Sequence, residues 1–253
     1  MVRIFKFYFM FLILSVSTAY AQTETEYFLS GNRHYEIGEY EDAVRNYRSL
    51  LDTGYESPEL WYNLGNAYYK LGRIGYSVLS YERAKKLEPA DESILYNLSA
   101  ANLLVKDKIT PPPENFLIKG LRDIRDSVKT DSLISTLITL YIASTVIYSL
   151  TLFMPKGRLI RMSYYTLFLF GLIFISVSIM TAIKIEHELN NVRAVVMVRE
   201  MSVSSAPEEI GEELFILHEG TRVEIIGGSQ EWAQIRLLDG KAGWVPTEMI
   251  EVI

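Results

Sequence analysis

Side chains able to do covalent or acid–base chemistry are few in this 253-residue chain, and their spacing does not bring them together. Two acid pairs, Glu208-Glu209 and Glu212-Glu213, supply the carboxylates that general acid–base catalysis uses. They fall in an expected loop, where adjacent acids form a solvated charge cluster. The three histidines, His34, His187 and His218, are far apart, and His187 lies between Glu186 and Glu188 just past an apolar run. The chain has no cysteine, which excludes disulfides, thiolate nucleophiles, cysteine zinc sites and a lipid-modified N-terminal cysteine. A phosphate-binding glycine loop, a metal-spaced histidine cluster and a serine elbow are absent from the sequence as well. The expectation is a protein that is not an enzyme, with no cofactor and no metal, whose chemistry is that of binding.

Charge narrows the partners. The chain carries a formal net charge of −6. Residues 22–115 hold 10 basic against 15 acidic side chains and residues 191–253 hold 5 against 11, so both polar segments are acidic. Nucleic-acid binding requires a basic face that neutralises phosphate, and neither segment has one.

The elements that position the binding residues start with an export signal. Arg3 and Lys6 precede an apolar run from Phe7 to Val16, and Ala19-Tyr20-Ala21 follows as a small-x-small cleavage pattern. This is the tripartite layout of a signal peptide, expected over residues 1–21. From residue 22 to 109 the apolar spacing is helical and recurs at 34 residues, the period of paired-helix solenoids. The clearest copy runs from Pro58 to Asp91, with Trp61, Leu64, Gly65, Tyr68, Tyr81, Ala84 and Pro89 in order. Small Gly65 and Ala84 permit close helix crossing, the aromatic rings fill the space between helices, and Pro89 ends the second helix. These positions resemble a tetratricopeptide (TPR) repeat. A weaker copy lies 34 residues earlier, with Tyr27, Gly31, Tyr35, Gly38, Ala43 and Tyr47 in register, and Leu95, Leu98 and Ser99 start a capping helix that ends near Lys108. Two repeats and a cap sit at the lower limit for a solenoid, so the module is expected to lean on a partner or to be only marginally stable alone.

The TPR resemblance implies a concave groove lined by the first helix of each repeat. Asn32, Tyr35, Tyr62, Asn63, Asn66, Tyr69, Tyr96 and Asn97 fall on that face. Flat rings beside amide donors and acceptors suit an extended peptide. The same tyrosines also suit packing between repeats.

Residues 110–131 form a connector. Thr110 is followed by Pro111-Pro112-Pro113, a stiff extended spacer. Phe116, Leu117, Leu121, Ile124 and Val128 then lie at helical spacing with Lys119, Arg122, Arg125 and Lys129 among them, as in a helix lying in a bilayer interface or entering a span. Leu133–Met154 and Met162–Ile183 carry no charge, and as helices of ~1.5 Å rise per residue each is long enough for a hydrocarbon core of about 30 Å. Residues 132–184 therefore read as a transmembrane hairpin. Neither run contains an ionisable side chain of the kind an ion pathway needs, which argues against transport. The connection from Pro155 to Arg161 carries Lys156, Arg158 and Arg161 and no acid, which places residues 155–161 in the cytoplasm and both flanking domains on the periplasmic side of a bacterial inner membrane.

From residue 191 to 253 the apolar period becomes 2. Strands are expected at Ala194–Val198, Leu214–Leu217, Arg222–Ile226, Trp232–Leu237 and Ala242–Val245, with turns at Gly227-Gly228 and Asp239-Gly240. The stretches Leu217–Ile225 and Glu231–Pro246, with the closing Glu248–Ile253, resemble a bacterial SH3-like barrel, and Ser202–Pro207 only partly matches that family's binding loop. Trp232 and Trp244 are the candidate groove residues of this domain, and core or groove-wall positions equally suit their size.

The fold expected is a multidomain membrane protein: all-α TPR repeats, a two-helix transmembrane hairpin and a C-terminal all-β SH3-like barrel. This order, and the run from Tyr96 to Ile109 before a proline-rich connector, resemble the BatE members of the Bat (Bacteroides aerotolerance) proteins. The resemblance implies a scaffold whose partners are other Bat proteins with von Willebrand A domains, functionally linked to a MoxR-type AAA+ ATPase, in envelope stress or aerotolerance. A cell-wall sensor whose SH3-like domain binds peptidoglycan is the alternative.

Overall fold

The computed structural model describes residues 26–110, 112–113, 115–154, 157–207 and 211–253. The expected signal peptide, the Glu208-Glu209 pair and residues 155–156 lie outside them. Among the described residues, 26–110 fold with Arg193–Ile253 into one compact unit, and those between them form a second.

The first unit begins with five helices: α1 over residues 26–36, α2 Tyr40–Asp52, α3 Pro58–Lys70, α4 Ile74–Leu87 and α5 Glu92–Leu104. The helix boundaries have local causes. Ser57 caps α3 by accepting the Leu60 N–H, with Pro58 in the first turn where no N–H is needed, and Asp91 caps α5 by accepting from Ile94. Gly38 and Gly72, one period apart, turn the chain between paired helices at φ +83° and +71°, a region open to glycine. The close crossing expected at Gly65 is present: a methyl group there would stand 2.7 Å from the Tyr81 ring. Ala43, Tyr47, Leu50, Leu60, Leu64, Ala67, Tyr68, Ala84 and Ile94 fill the space between α1 and α5.

Helix α5 ends at Leu104, short of the Lys108 expected from apolar spacing. Val105 leaves the helix to be buried, and Asp107 is drawn off by the strands that follow. Those strands are β1 Val192–Val196, β2 Glu200–Ser204, β3 Glu213–His218, β4 Arg222–Gly228, β5 Trp232–Arg236, β6 Ala242–Pro246 and β7 Ile250–Val252. They form one antiparallel sheet in the order β3-β2-β6-β5-β4-β1-β7. The register sets Met201 against Leu217 and Ala233 against Val245, and Val196, Met201, Val203, Leu217, Val223, Ile235 and Val245 share one core. Strands β2 and β7 add to the five expected. Residues 200–204, which overlap the loop motif expected at Ser202–Pro207, are pulled into pairing by Met201 and Val203, whose alternate side chains enter that core.

The repeats and the sheet meet through a third apolar cluster. Val78, Leu79, Tyr81, Leu98, Ala101 and Val105 enclose Val195, which is fully buried, with Met197 and Ile253 at the margin. Polar contacts surround it. Glu82, 3% exposed, accepts from Arg222 Nη1 at 2.6 Å. Arg83 lies over the Trp61 ring at 4.8 Å and donates to Glu251 at 2.9 Å and to the Val252 carbonyl at 2.7 Å. Lys86 donates to the Ile253 main-chain oxygen at 2.9 Å. Asp107 accepts from the His218 N–H at 2.7 Å and the Thr221 hydroxyl at 2.6 Å, and His218 Nδ1 lies 2.8 Å from its other oxygen. A carboxylate only accepts, so Nδ1 carries the proton and Nε2 is left to accept from Lys106 Nζ at 2.6 Å.

The second unit contains α6 Phe116–Ser127, α7 Thr130–Thr151 and α8 Arg158–Asn190. Helices α7 and α8 pack on one another, are long and apolar enough to cross a membrane, and leave most of their apolar side chains exposed. Helix α8 continues past Ile183 through Lys184 and the Glu186–Glu188 cluster to Asn190, one residue before β1.

Two consequences of the joint core are measurable on the full chain in detergent. Arg222→Ala strands the buried Glu82 carboxylate and is expected to lower unfolding stability by about 3 kcal/mol in denaturant titration, while the Glu82→Met/Arg222→Met pair recovers most of the loss. Burial opposes ionisation of Asp107, but the Thr221 hydroxyl, the His218 N–H and the His218 ring outweigh it and hold the carboxyl below the usual range. A depressed folded pKa gives stability that is complete above the unfolded value of about 3.9 and is lost as pH falls through the folded one. Melting temperature should therefore fall in the acid range, and Asp107→Asn should remove part of that dependence.

Candidate partner-binding site

The face expected to bind a peptide comprises α1, α3 and α5. Its four asparagines are committed to one another and to buried tyrosines. Asn32 Oδ1 accepts from the Tyr47 hydroxyl at 2.7 Å and from Asn63 Nδ2 at 3.1 Å. One period on, Asn66 Oδ1 accepts from the Tyr81 hydroxyl at 2.6 Å and from Asn97 Nδ2 at 2.8 Å. Asn97 Nδ2 also donates to the Tyr62 hydroxyl at 2.9 Å. The 34-residue period is thus a hydrogen-bond period: each second-helix tyrosine reaches back to its own first helix, and Asn63 and Asn97 each donate back to the asparagine of the preceding repeat. Burial pushes the Tyr47 and Tyr81 phenols up, so both remain neutral donors.

The tyrosines divide. Tyr35 meets the edge of Tyr40 with ring centres 5.4 Å apart, and Tyr62 tilts against Tyr81 at 6.0 Å. Tyr69 packs on the cluster around Val195. Tyr96, on α5, is 75% exposed. Of the eight groove candidates, Asn32, Asn63, Asn66 and Asn97 build the ladder, Tyr35, Tyr62 and Tyr69 are partly covered by neighbours, and Tyr96 presents a full ring to solvent.

In the sheet, Trp232 pairs with Pro246 and Gln234 with Trp244, so the two tryptophans are diagonal neighbours on adjacent strands. Both are half-buried and alternate with the core residues Ala233, Ile235 and Val245. They occupy the outer face of the sheet. Among the described residues His34, Glu39 and Asp42 bring three ligand-type atoms within 4.8 Å at the α1–α2 turn. His34 Nδ1 lies 2.7 Å from Glu39, and Asp42 pairs with Arg45, so these groups already serve one another.

Comparison with known families agrees with the helical geometry. A family model described as TPR repeat matches residues 31–72, and one described as tetratricopeptide repeat matches residues 58–91. The chain contains TPR repeats. These residues are α1 to α4 with the turns between them, and both halves of the asparagine ladder begin inside them. No curated protein matches the chain. As TPR repeats are protein-interaction modules, the coarse functional reading is a protein–protein interaction scaffold.

Linear sequence did not single out Glu82, Arg83, Asp107 or Arg222, whose partners lie 111 to 169 residues away. Their types are those of ordinary surface charges, and no local signal marks them.

The ladder makes a directional prediction. Asn66→Ala leaves the buried Tyr81 hydroxyl without an acceptor and is expected to cost about 1–3 kcal/mol in denaturant titration of the full chain, with part of that recovered in Asn66→Ala/Tyr81→Phe. Tyr96→Ala should stay within about 0.5 kcal/mol, as for an exposed side chain.

Proposed function

We propose that this chain is a membrane-anchored, non-enzymatic scaffold of a Bat-type envelope complex, with repeats and sheet in the periplasm and the loop at 155–161 in the cytoplasm. One observation carries the reading: the segments before and after the apolar hairpin share a single buried core around Val195. Two halves of one folded unit must lie on the same side of a bilayer, and two spans return the chain to the side it left. An odd number of crossings between Thr110 and Arg193 is incompatible with that core. The span lengths, the export signal and the bases Lys156, Arg158 and Arg161 support the same topology.

The scaffold role rests on the repeats. With the sheet closing one end of the module, the open surface is the inner face carrying Tyr96, an exposed ring of the kind that anchors protein interfaces. The partners proposed are membrane proteins with von Willebrand A domains, functionally linked to a MoxR-type AAA+ ATPase in envelope stress and aerotolerance.

A photo-crosslinking residue at position 96 of the full chain, in native membranes, should capture a von Willebrand A-domain protein. The same residue at position 45, on exposed Arg45 of α2, should not. Equal capture at the two sites, or capture at neither, would reject the groove as the docking surface.

A further inference from the structure

Helix α6 carries an apolar stripe that no other described residue buries. Leu117, Leu121 and Ile124 project along one side and are 61%, 71% and 58% exposed, with Phe116 and Ile118 flanking them, and no residue of the helix is buried. Lys119, Arg122, Asp123 and Asp126 occupy the opposite side. Twelve residues with this division are marginal as a free helix in water, and most helical stability comes from burying such a face.

The position of α6 is fixed by a polar knot at the rim of the apolar hairpin. Lys184, the first ionisable residue after Ile183, donates to the Arg125 carbonyl in the last turn of α6 at 3.1 Å. The same ammonium lies 3.3 Å from Glu188, whose carboxylate accepts from the Thr130 hydroxyl at the start of α7 at 3.0 Å. The end of α6, the beginning of α7 and the end of the apolar stretch of α8 are thereby held at one level.

We infer that α6 lies in the headgroup region of the phospholipid bilayer, with Leu117, Leu121 and Ile124 in the acyl boundary and Lys119 and Arg122 toward the lipid phosphates. The inference rests on reading α7 and α8 as membrane spans. Continuity with those spans identifies the occupant: a helix pinned where the hydrocarbon-length stretch begins has its uncovered side at the lipid surface, and an apolar side with an interleaved charged one is what an interfacial helix requires. The charges on α6 nearly balance, three bases against two acids, so apolar burial supplies most of the binding and anionic lipid adds little.

The chain has no cysteine, so single introduced thiols report without background. An environment-sensitive fluorophore is attached in turn to Leu121→Cys, Ile124→Cys, Asp123→Cys and Leu172→Cys of the full chain in phosphatidylcholine vesicles. Quenchers are lipids carrying a nitroxide near the headgroup or deep in the acyl chain. The expected result is at least twofold stronger shallow quenching at 121 and 124 than at 123, with deep quenching at 172. Deep quenching at 172 with 121 and 124 as aqueous as 123 would overturn the interfacial helix and leave the spans standing. An aqueous probe at 172 as well would overturn both readings. Retained shallow quenching when phosphatidylglycerol replaces one quarter of the lipid would support an apolar origin, and quenching that appears only with the anionic lipid would overturn it.

Discussion

The fully buried Val195 of β1, held among Val78, Leu98, Ala101 and Val105, is the contact on which the rest of the first unit depends. A solenoid of two helical pairs and a cap has an apolar end with nowhere to go. Ordinarily another repeat or a polar capping face deals with it. Here a β-sheet does, and the substitution explains the surrounding chemistry. Glu82 is tolerated at near-complete burial because Arg222 reaches it, and α5 stops at Leu104 because Val105 and Asp107 are needed by the strands. A partner was expected to cover that end; strand β1 of the same chain does so.

The joint core also changes what the inner face is. In an open array, every first-helix position is a candidate for ligand contact. In this unit the asparagines at those positions hold the repeats in register, and their amides are spent on Tyr47, Tyr81 and each other. The ring left open on that face is Tyr96, on the helix that also supports the sheet through Leu98 and Ala101. A ligand gripping that ring would press on the same helix that closes the apolar end.

Sequence made some of this legible. The 34-residue period placed small Gly65 at a close helix crossing, and the structure supplies the Tyr81 ring as its neighbour. Alternation located five strands, and charge-free length located α7 and α8. It missed β2 because Glu200–Ser204 is mostly polar and only Met201 and Val203 mark its buried side. It assigned Asn32 and Asn66 to a face without their partners, because periodicity gives direction and not distance. It could not bring Asp107 to His218 and Thr221, since loop closure across more than a hundred residues leaves no local pattern.

Val105 and Val195 are separated by ninety positions that include both long apolar helices. A growing chain made at about 5–20 residues per second extrudes the repeats roughly ten seconds before β1 exists. During that interval the surface of Val78, Leu98 and Ala101 is bare. Maturation is therefore a waiting problem: the earlier-made repeats must stay folded enough to receive the later-made strands, and sheltered enough not to pair with another copy.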